Sequence, residues 1–145
     1  GYLTAAQALA SVWLNDQVVV TEKTGGKVVD TVKTERHALL GDMKTVVLTN
    51  GNTASASEIV AGALQEYGKA TLIGEKTYGK GTVQKIVNLS DGRILKVTTA
   101  RWYTPKGKNI TKEGITPDKT IHITKDDANA GKDTQMEAAQ SVLAS

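Results

Sequence analysis

Residues 45–64 have the sequence TVVLTNGNTASASEIVAGAL, and this stretch decides the fold. Residues 46–48 are a short apolar run, which is typical of a buried strand. Residues 50–52 have the composition of a tight turn. Residues 54–67 are good helix formers, and Gly68 is a residue that commonly ends a helix. The stretch therefore predicts a strand, a tight turn and a helix in direct succession.

Ser55 lies where the predicted turn becomes the helix. Backbone N–H groups at a helix start lack intrahelical partners, and the helix dipole is positive there. An oxyanion formed beside Ser55 would therefore be stabilised. The same residues also form a capping box, with Ser55 as the cap and Glu58 three positions later, which is the ordinary interpretation. Ser57 and Thr53 are alternative caps and alternative nucleophiles, and the local sequence does not choose among the three.

A second stretch, residues 71–84, has the sequence TLIGEKTYGKGTVQ and contains a candidate base, Lys80. A serine hydroxyl is a poor nucleophile until a base takes its proton, and a lysine amine is a base only when neutral. The pKa of a free lysine is about 10.4, and burial lowers it. A base role therefore predicts an enclosed Lys80 without an acidic partner, whereas a solvated loop lysine is the alternative. Gly79 and Gly81 would let the backbone pass close to the Ser55 helix.

The two stretches together resemble the core of the C-terminal processing peptidases, also called tail-specific proteases. That family has a strand ending in Asn, a helix start like TASASEIVAGAL, and a segment like GExT[FY]GKGxVQ. The resemblance continues through residues 95–105 and 114–118, so it covers most of the chain after residue 45. It implies an α/β fold of the Clp protease and crotonase type. This chain would be the C-terminal part of that core, with a mixed sheet and flanking helices.

The resemblance implies a serine–lysine dyad that uses no cofactor and no metal. Matched position by position, the nucleophile is Ser55, the general base is Lys80, 25 residues later, and the assisting residue is Gln84. The oxyanion hole would be formed by the N–H of Ala56 and by Gly1. Four residues of a strand span about 13 Å. A contact between Lys80 and Gln84 therefore requires a turn or a bulge.

The activity implied by the resemblance is that of a serine endopeptidase acting through an acyl-enzyme. Its substrates would be polypeptides recognised by exposed C-terminal tails, outside the cytoplasm: in the periplasm, the cell envelope, the thylakoid lumen or the secreted fraction. The alternative is a non-catalytic binding or scaffold fragment on the same fold. Gly1 resembles the last residue of the family's Asn-Pro-Gly-Gly turn. Residues 1–145 are therefore expected to be one peptidase-core domain, a fragment without the upstream half of the core and the PDZ module.

Two other catalytic or binding motifs are incomplete. Residues 74–81, GEKTYGKG, resemble a phosphate-binding loop, but Gly81 stands where a Ser or Thr should bind Mg²⁺. The residues after it alternate like a strand, whereas a phosphate loop opens a helix. Residues 23–25 (KTG) and 90–91 (SD) match fragments of the penicillin-binding proteins. No serine has a lysine three positions later, so that site is not formed.

The composition excludes several further classes of function. The chain has 145 residues, 39% of them hydrophobic, and no Cys, which excludes disulfides, thiolate catalysis and Cys-ligated zinc. His37 and His122 are far apart, so we predict neither a metal site nor a Ser-His-Asp triad. A net charge of +3 from dispersed charges predicts no nucleic-acid partner. No apolar run of membrane-spanning length is present, so no membrane insertion of this segment is expected.

The remaining patterns predict the other helices and strands. Residues 2–14 are expected to form an amphipathic helix that places Trp13 in the core. The other expectations are a hairpin of strands 18–20 and 27–32, strands 70–73, 83–89, 94–100 and 120–124, a loop at 102–107, a polar linker at 125–132 and a terminal helix from Asp133.

Overall fold

The computed structural model of the chain describes residues 1–35 and 37–145. These residues form both helices and strands, which confirms the predicted α/β class. In chain order the elements are α1 (Leu3–Ala10), β1 (Val18–Thr24), β2 (Lys27–Lys33), β3 (Val46–Thr49), α2 (Ala56–Glu66), β4 (Thr71–Gly74), β5 (Thr82–Asn88), β6 (Ile94–Tyr103), β7 (Lys119–Thr120), α3 (Lys125–Asn129) and α4 (Thr134–Ala144).

The strands of the described residues form two separate sheets. One sheet is antiparallel, with the order β2-β1-β6-β5. The other is parallel, with the order β3-β4-β7. The antiparallel and parallel pairings expected within one mixed sheet are therefore divided between two sheets.

Helix α2 lies at the centre of the core, in contact with both sheets. It packs against β1 of the antiparallel sheet and β4 of the parallel sheet, and α1 packs beside it. Residues 58–64 are all buried. A helix that is enclosed along its whole middle must be largely apolar, as this one is, with the single exception of Glu58. The element that carries Ser55 at its start is thus the most tightly surrounded helix of the described chain.

The strand–turn–helix prediction is confirmed, with one difference in burial. Helix α2 ends at Glu66 with Tyr67 as its C-cap, and Gly68 follows with a φ of +65°, as a left-handed residue after a helix does. Strand β3, however, is an edge strand of the parallel sheet. Leu48 is 39% exposed as a result, and Thr49 is the buried residue of this strand.

Three elements near the C-terminus differ from the sequence expectation. Strand β6 continues to Tyr103 through residues that were expected to form a loop, because Trp102 is buried and paired with β1. Strand β7 is limited to Lys119–Thr120. The predicted polar linker contains the short helix α3, whose first turn is capped by the side chain of Thr124.

Strands β5 and β6 extend beyond the core as a hairpin. All residues from 84 to 99 are exposed, and we call this segment the hairpin arm. Its exposed residues include large apolar side chains such as Ile86, Ile94 and Leu95. Within the described residues, no helix is long and apolar enough to cross a membrane.

Candidate active site

An open cavity of about 430 Å³ collects residues from both diagnostic sequence stretches. Its lining contains all five residues that the sequence assigned to the site. The lining residues are Gly1, Tyr2, Leu3, Glu22, Ser55, Ala56, Ile59, Lys80, Thr82, Val83, Gln84, Ile86, Lys96 and Trp102. The fold therefore brings together residues that are up to 101 positions apart in the chain.

Ser55 occupies a strained turn at the start of α2. It has φ +59° and ψ −120°, a combination that a residue with a β carbon rarely adopts. Such strain costs on the order of 1–3 kcal/mol and persists only where the surroundings impose it. Thr53 accepts a hydrogen bond from the Asn50 N–H at 3.1 Å within the preceding turn. Ser57 is exposed, and neither Thr53 nor Ser57 lines the cavity, so Ser55 is the candidate that faces it.

A buried glutamate holds the Ser55 turn. The N–H of Ser55 donates to Oε2 of Glu58 at 2.9 Å. The N–H of Glu58 donates to the carbonyl oxygen of Ser55, also at 2.9 Å. The Ser55 hydroxyl lies within capping range of that N–H but makes no regular capping hydrogen bond. The capping box is therefore formed mainly by the Glu58 carboxylate and the backbone.

The same carboxylate also holds the loop that carries Lys80. Glu58 is fully buried, with a relative exposure of 0%. Its Oε1 accepts from the Thr77 hydroxyl at 2.5 Å and from the Gly79 N–H at 2.7 Å. Its Oε2 accepts from the Lys80 N–H at 2.9 Å as well as from Ser55. One side chain with four donors thus fixes the backbones of both candidate catalytic residues, and we call it the Glu58 clamp.

The role of Glu58 was missed because the sequence indicated it only as half of a capping box. One signal was available. An acidic residue in the first turn of a helix that is otherwise apolar enough to be buried must find hydrogen-bond donors, since an unpaired buried charge is very costly. The identity of those donors, however, depends on residues 19 to 22 positions away.

Trp102 holds the other side of the Lys80 backbone. Its indole Nε1–H donates to the Lys80 carbonyl oxygen at 2.8 Å, and its N–H donates to the Gly81 carbonyl at 3.1 Å. Trp102 is 3% exposed. The main chain at Lys80 is therefore fixed by Glu58 at its N–H and by Trp102 at its carbonyl. This role was also missed, since the sequence placed Trp102 in a loop.

The side chain of Lys80 is exposed, so the expectation that it is enclosed is wrong for this structure. The reason is that the cavity opens to solvent beside the hairpin arm. The ion pairs found in the described residues involve Arg93, His122 and Lys132 and not Lys80. Glu22 is the acidic residue of the cavity lining. Burial, with a smaller effect of the neighbouring Asp30 carboxylate, raises the pKa of Glu22 above its usual range.

The glycines beside Lys80 serve a different contact from the one expected. A β carbon on Gly79, which has φ +87°, would lie 2.7 Å from the N of Gly114. One on Gly81 would lie 2.5 Å from Oγ1 of Thr111. The loop is therefore pressed against the segment at residues 110–114, and not against the Ser55 helix as expected. Its link to that helix is the Glu58 clamp.

The backbone is irregular on both sides of Lys80, at Gly79 within the expected Gly79–Gly81 segment and again just before Gln84. Gly79 has a left-handed φ, and the pairing of β5 with β6 shifts register between Val83 and Gln84. Gln84 is exposed and lines the same cavity as Lys80. Both residues therefore line one cavity.

Gly1 lies against the start of helix α2. A β carbon on Gly1 would be 2.8 Å from Cβ of Ala56, so only a glycine allows this approach. Among the backbone hydrogen bonds of the described residues, the N–H groups of Ser57 and Glu58 have carbonyl acceptors, while that of Ala56 is not among the donors. The Ala56 N–H and the backbone of Gly1 therefore lie next to each other at the N-terminal end of α2, where the helix dipole is positive.

Neither the two histidines nor a phosphate-binding loop forms a second functional site in this cavity. Nδ1 of His37 lies 3.0 Å from Asn15 Oδ1, and Nδ1 of His122 lies 2.9 Å from Glu75 Oε1, both outside the cavity lining. In the described part of the chain, no three His, Cys, Asp or Glu side chains are grouped as metal ligands. The residues after Gly81 form strand β5, so the helix that a phosphate-binding loop requires is not there.

The fold is that of a peptidase core related to the Clp proteases, as the family resemblance implied. Residues 1–121 match the profile of peptidase family S41. The chain belongs to this family. The resemblance to the C-terminal processing peptidases is thereby confirmed.

Two relatives show the extent of the similarity. The chain is 40% identical over 148 residues to a carboxyl-terminal-processing protease of Synechocystis sp., covering 99% of this chain and 34% of that protein. It is 43% identical over 125 residues to a carboxy-terminal-processing protease of Bartonella bacilliformis, covering 83% and 28% respectively. The chain thus spans about a quarter to a third of the length of the curated relatives it matches.

Two solved structures extend the comparison to the fold. The photosystem II D1 C-terminal processing protease superposes with a TM-score of 0.78 at 35% identity, over 84% of this chain and 32% of that one. The tricorn protease superposes with a TM-score of 0.68 at 22% identity, over 95% of this chain and 13% of that one. The second likeness shows the fold alone.

Proposed function

We propose that this chain carries the catalytic dyad of a serine endopeptidase of the C-terminal processing type. Ser55 is the nucleophile and Lys80 is the general base. One observation carries the proposal: both residues line one cavity, and their backbones are hydrogen-bonded to the same buried carboxylate, Glu58. A shared rigid support of this kind is what two reacting side chains need to meet repeatedly in one geometry.

In the proposed acylation, Ser55 Oγ attacks the scissile carbonyl carbon while its proton passes to Lys80 Nζ. The electron pair of the carbonyl π bond moves to its oxygen, and the N–H groups of Ala56 and Gly1 donate to that oxyanion. Lys80 then gives the proton to the leaving amine as the C–N bond breaks. The product is an ester between Ser55 and the substrate acyl group.

Deacylation uses the same residues in reverse roles. A water molecule gives a proton to Lys80 and attacks the ester carbonyl, and the proton returns to Ser55 Oγ as it leaves. Gln84 lines the same cavity, and in this proposal its side-chain oxygen accepts a hydrogen bond from the Lys80 amine. Gln84 is therefore proposed to orient the base and not to take part in bond changes.

The exposure of Lys80 requires a further element of the proposal. A lysine amine becomes a base when water is excluded from it, because desolvation disfavours the charged form. A polypeptide lying in the open cavity would cover Lys80 and supply that exclusion. Base function is thus expected to depend on the occupied cavity.

The proposed substrates are polypeptides recognised by exposed, rather apolar C-terminal tails. The apolar part of the cavity wall, formed by Leu3, Ile59, Val83 and Ile86, supports an apolar segment near the scissile bond. The names of the relatives support carboxyl-terminal processing. By the same resemblance we place the protein outside the cytoplasm, with this chain as one peptidase-core domain of a longer protein.

A second candidate is a non-catalytic binding or scaffold domain on the same fold. The observation that favours it is the exposed Lys80 side chain, since a solvated lysine is the ordinary state of a loop residue. In the first candidate function Ser55 attacks a substrate carbonyl, whereas in the second it does not react. They are separated by the experiment below.

The test measures peptide hydrolysis and fluorophosphonate labelling of Ser55→Ala, Lys80→Met and the matched control Ser57→Ala, each in the protein as its host produces it. We expect Ser55→Ala and Lys80→Met to lose at least about a thousandfold in turnover with unchanged thermal stability or better. Ser57→Ala should keep both activities. Turnover that survives in Ser55→Ala, or labelling that moves to Ser57, would contradict the assignment. Absence of hydrolysis and labelling in the unmodified protein would favour the scaffold.

A further inference from the structure

The amine of Lys80 is not held at its own end in the described part of the chain. The hydrogen bonds of Lys80 there are those of its backbone, and the ion pairs involve other residues. A lysine amine sits on a flexible four-carbon stem. The place that the amine reaches therefore depends on how the Lys80 backbone is held and on which way its peptide groups point.

Three consecutive carbonyl oxygens around Lys80 accept hydrogen bonds from later parts of the chain. The Gly79 oxygen accepts from the Lys112 N–H at 2.8 Å, and the Gly81 oxygen accepts from the Trp102 N–H at 3.1 Å. The Lys80 oxygen between them accepts from the indole Nε1–H of Trp102 at 2.8 Å. The bond to Lys80 is donated by a side chain, so a substitution can remove it without changing the backbone of the donor.

The peptide group between Lys80 and Gly81 is the one that can turn over most easily. A peptide group that turns over reverses its C=O and N–H and changes the φ of the residue after it, which glycine accepts in either sign. A stiffer residue does not fit at position 81, because a β carbon there would lie 2.5 Å from Oγ1 of Thr111. The freedom that the glycine gives must therefore be restrained by a contact.

The indole of Trp102 supplies that contact. Among the backbone donors of the described residues, the N–H of Gly81 does not appear, so the indole bond is the hydrogen bond found on this peptide group. Trp102 is 3% exposed, and its own carbonyl oxygen accepts from Nδ2 of Asn109 at 2.7 Å. The donor is thus a buried ring on a backbone that is itself held.

Trp13 provides a matched comparison, since the chain has two tryptophans. Its indole Nε1–H donates to Oγ1 of Thr45 at 2.8 Å, the same distance as the bond from Trp102 to Lys80. Trp102 lines the cavity with Ser55 and Lys80, whereas Trp13 is outside that lining. The two rings therefore share one kind of hydrogen bond and differ in what it holds.

We propose that Trp102 is a positioning residue for the base, because its indole N–H fixes the Lys80–Gly81 peptide group in the orientation that directs the lysine side chain into the cavity with Ser55. This inference rests on the proposed function and adds what aims the base. Trp102 acts through Lys80 and takes no part in the bond changes. Its effect is therefore on turnover and not on substrate affinity.

The first test compares Trp102→Phe with the matched control Trp13→Phe in the full-length protein, at a temperature well below the unfolding of either variant. Each variant loses one indole hydrogen bond and is expected to unfold at lower urea concentration than the unmodified protein. We expect kcat of Trp102→Phe to fall about ten- to a hundredfold, because a small displacement of a reacting group is costly. Its KM should stay within about twofold, as should both constants of Trp13→Phe. An unchanged kcat in Trp102→Phe, or an equal loss in both variants, overturns the inference.

An isosteric replacement covers the case in which Trp102→Phe does not fold. In the Trp13→Phe background, the remaining tryptophan is replaced by β-(3-benzothienyl)alanine, which has sulfur in place of the indole N–H and nearly the same shape. We expect the same loss of kcat, since only the hydrogen bond is removed. Full turnover in this protein would show that the ring, and not its N–H, is what the site needs.

Fluorophosphonate labelling of Ser55 separates this inference from the proposed function. The small reagent requires an activated serine but no bound polypeptide, so its labelling rate should fall together with kcat in Trp102→Phe. Normal labelling with slow cleavage would place Trp102 in substrate binding and overturn the inference alone. Absence of labelling and cleavage in the unmodified protein removes the proposed function, and the inference with it.

Discussion

The loop at residues 77–81 and the hairpin arm at residues 84–99 are almost contiguous in sequence but differ in nearly every physical respect. In the loop, Thr77, Gly79 and Gly81 are buried, and the Glu58 clamp accepts hydrogen bonds from three of its residues. In the arm every residue is exposed, and the outer strand has a free edge. Buried polar contacts hold the loop in one conformation, whereas the side chains of the arm and the backbone groups at its outer edge are exposed.

This difference suggests a division of work along one segment. A side chain that reacts must be held within fractions of an ångström, and buried hydrogen bonds provide that at a high cost if they are broken. A surface that binds many sequences gains from exposed backbone groups, which every polypeptide can pair with. Four substitutions at buried or cavity residues, each paired with a control at a more exposed residue, would test this difference.

The largest effect is expected for Glu58→Ala. The substitution leaves four donors without their acceptor in a fully buried place. Each buried donor left unpaired costs about 1–3 kcal/mol, so the four together are expected to cost about 4 kcal/mol or more. We expect a loss of that size in the free energy of unfolding by urea titration, with loss of peptidase activity because the backbones of Ser55 and Lys80 are released.

The control for Glu58→Ala is Glu66→Ala on the same helix. Glu66 accepts one hydrogen bond, from the Lys106 N–H at 2.7 Å, in a partly exposed place. We expect a loss of about 1 kcal/mol or less. Equal losses in the two variants would mean that the clamp is no more important than an ordinary surface contact.

The next effect compares two glycines with similar backbone angles. Gly79 has φ +87° and Gly92, in the arm, has φ +79°, so alanine is strained at both. A β carbon at Gly79 would lie 2.7 Å from Gly114 N, while nothing lies within 4 Å at Gly92. We expect Gly92→Ala to cost about 1–2 kcal/mol and Gly79→Ala about 3 kcal/mol or more, because overpacking is added.

Urea titration of the two glycine variants measures the difference directly. Since the left-handed strain is common to both, the excess in Gly79→Ala reports the tight packing of the loop. Similar unfolding free energies would show that the loop can move away from residues 110–114 at little cost. The loop would then be less rigid than the hydrogen bonds of Glu58 indicate.

Thr77→Val should have a smaller effect. The Thr77 hydroxyl donates to Glu58 and accepts from the Ile115 N–H at 2.7 Å, so valine leaves one buried donor unpaired while keeping the shape. We expect a loss of about 1–3 kcal/mol in unfolding free energy. The control Thr98→Val, at an exposed position of β6, should change it by less than about 0.5 kcal/mol. An unchanged unfolding free energy in Thr77→Val would show that the Glu58 clamp does not need this hydroxyl for its stability.

The sequence predicted the parts of the site that depend on near neighbours. The apolar run, the turn residues and the helix formers at residues 45–67 are local signals, and the structure has the strand, turn and helix where they indicate. These local signals left Ser55, Ser57 and Thr53 as alternatives, and the family resemblance selected Ser55. Lys80 and Gln84 were assigned through the family resemblance, which carries three-dimensional information that local propensity lacks.

The parts that could not be predicted depend on distant contacts. Trp102 reaches the carbonyl of Lys80 across 22 positions, and nothing in its local pattern distinguishes a strand end from a loop. The exposure of Lys80 depends on which parts of the protein cover the cavity. The residues next to Lys80 in the sequence do not predict this. The glycines at 79 and 81 were recognised as sites of close approach, but their partner at residues 110–114 is a tertiary contact.

The smallest expected effect concerns Glu22 on β1. This residue lines the cavity together with Lys80 of the loop and Ile86 of the arm. Burial, and to a lesser extent Asp30 directly opposite on β2, raise the pKa of Glu22 in the folded state. A raised carboxyl pKa means that the charged form is disfavoured by folding. The charged group therefore lowers stability above its folded pKa, and the penalty disappears as the pH falls below the unfolded value of about 4.3.

Glu22→Gln should consequently raise the melting temperature at pH 7 and leave it nearly unchanged at pH 4. Calorimetry at the two pH values measures this, with Glu137→Gln as the control, because Glu137 is exposed and pairs with Lys132 at 3.8 Å. Asp30→Asn sharpens the test, since removing the like charge should reproduce the smaller part of the gain. A Glu22→Gln variant that is less stable at pH 7 would mean that Glu22 has a favourable partner in the folded protein. That partner would outweigh the burial and the Asp30 repulsion that raise the pKa of Glu22.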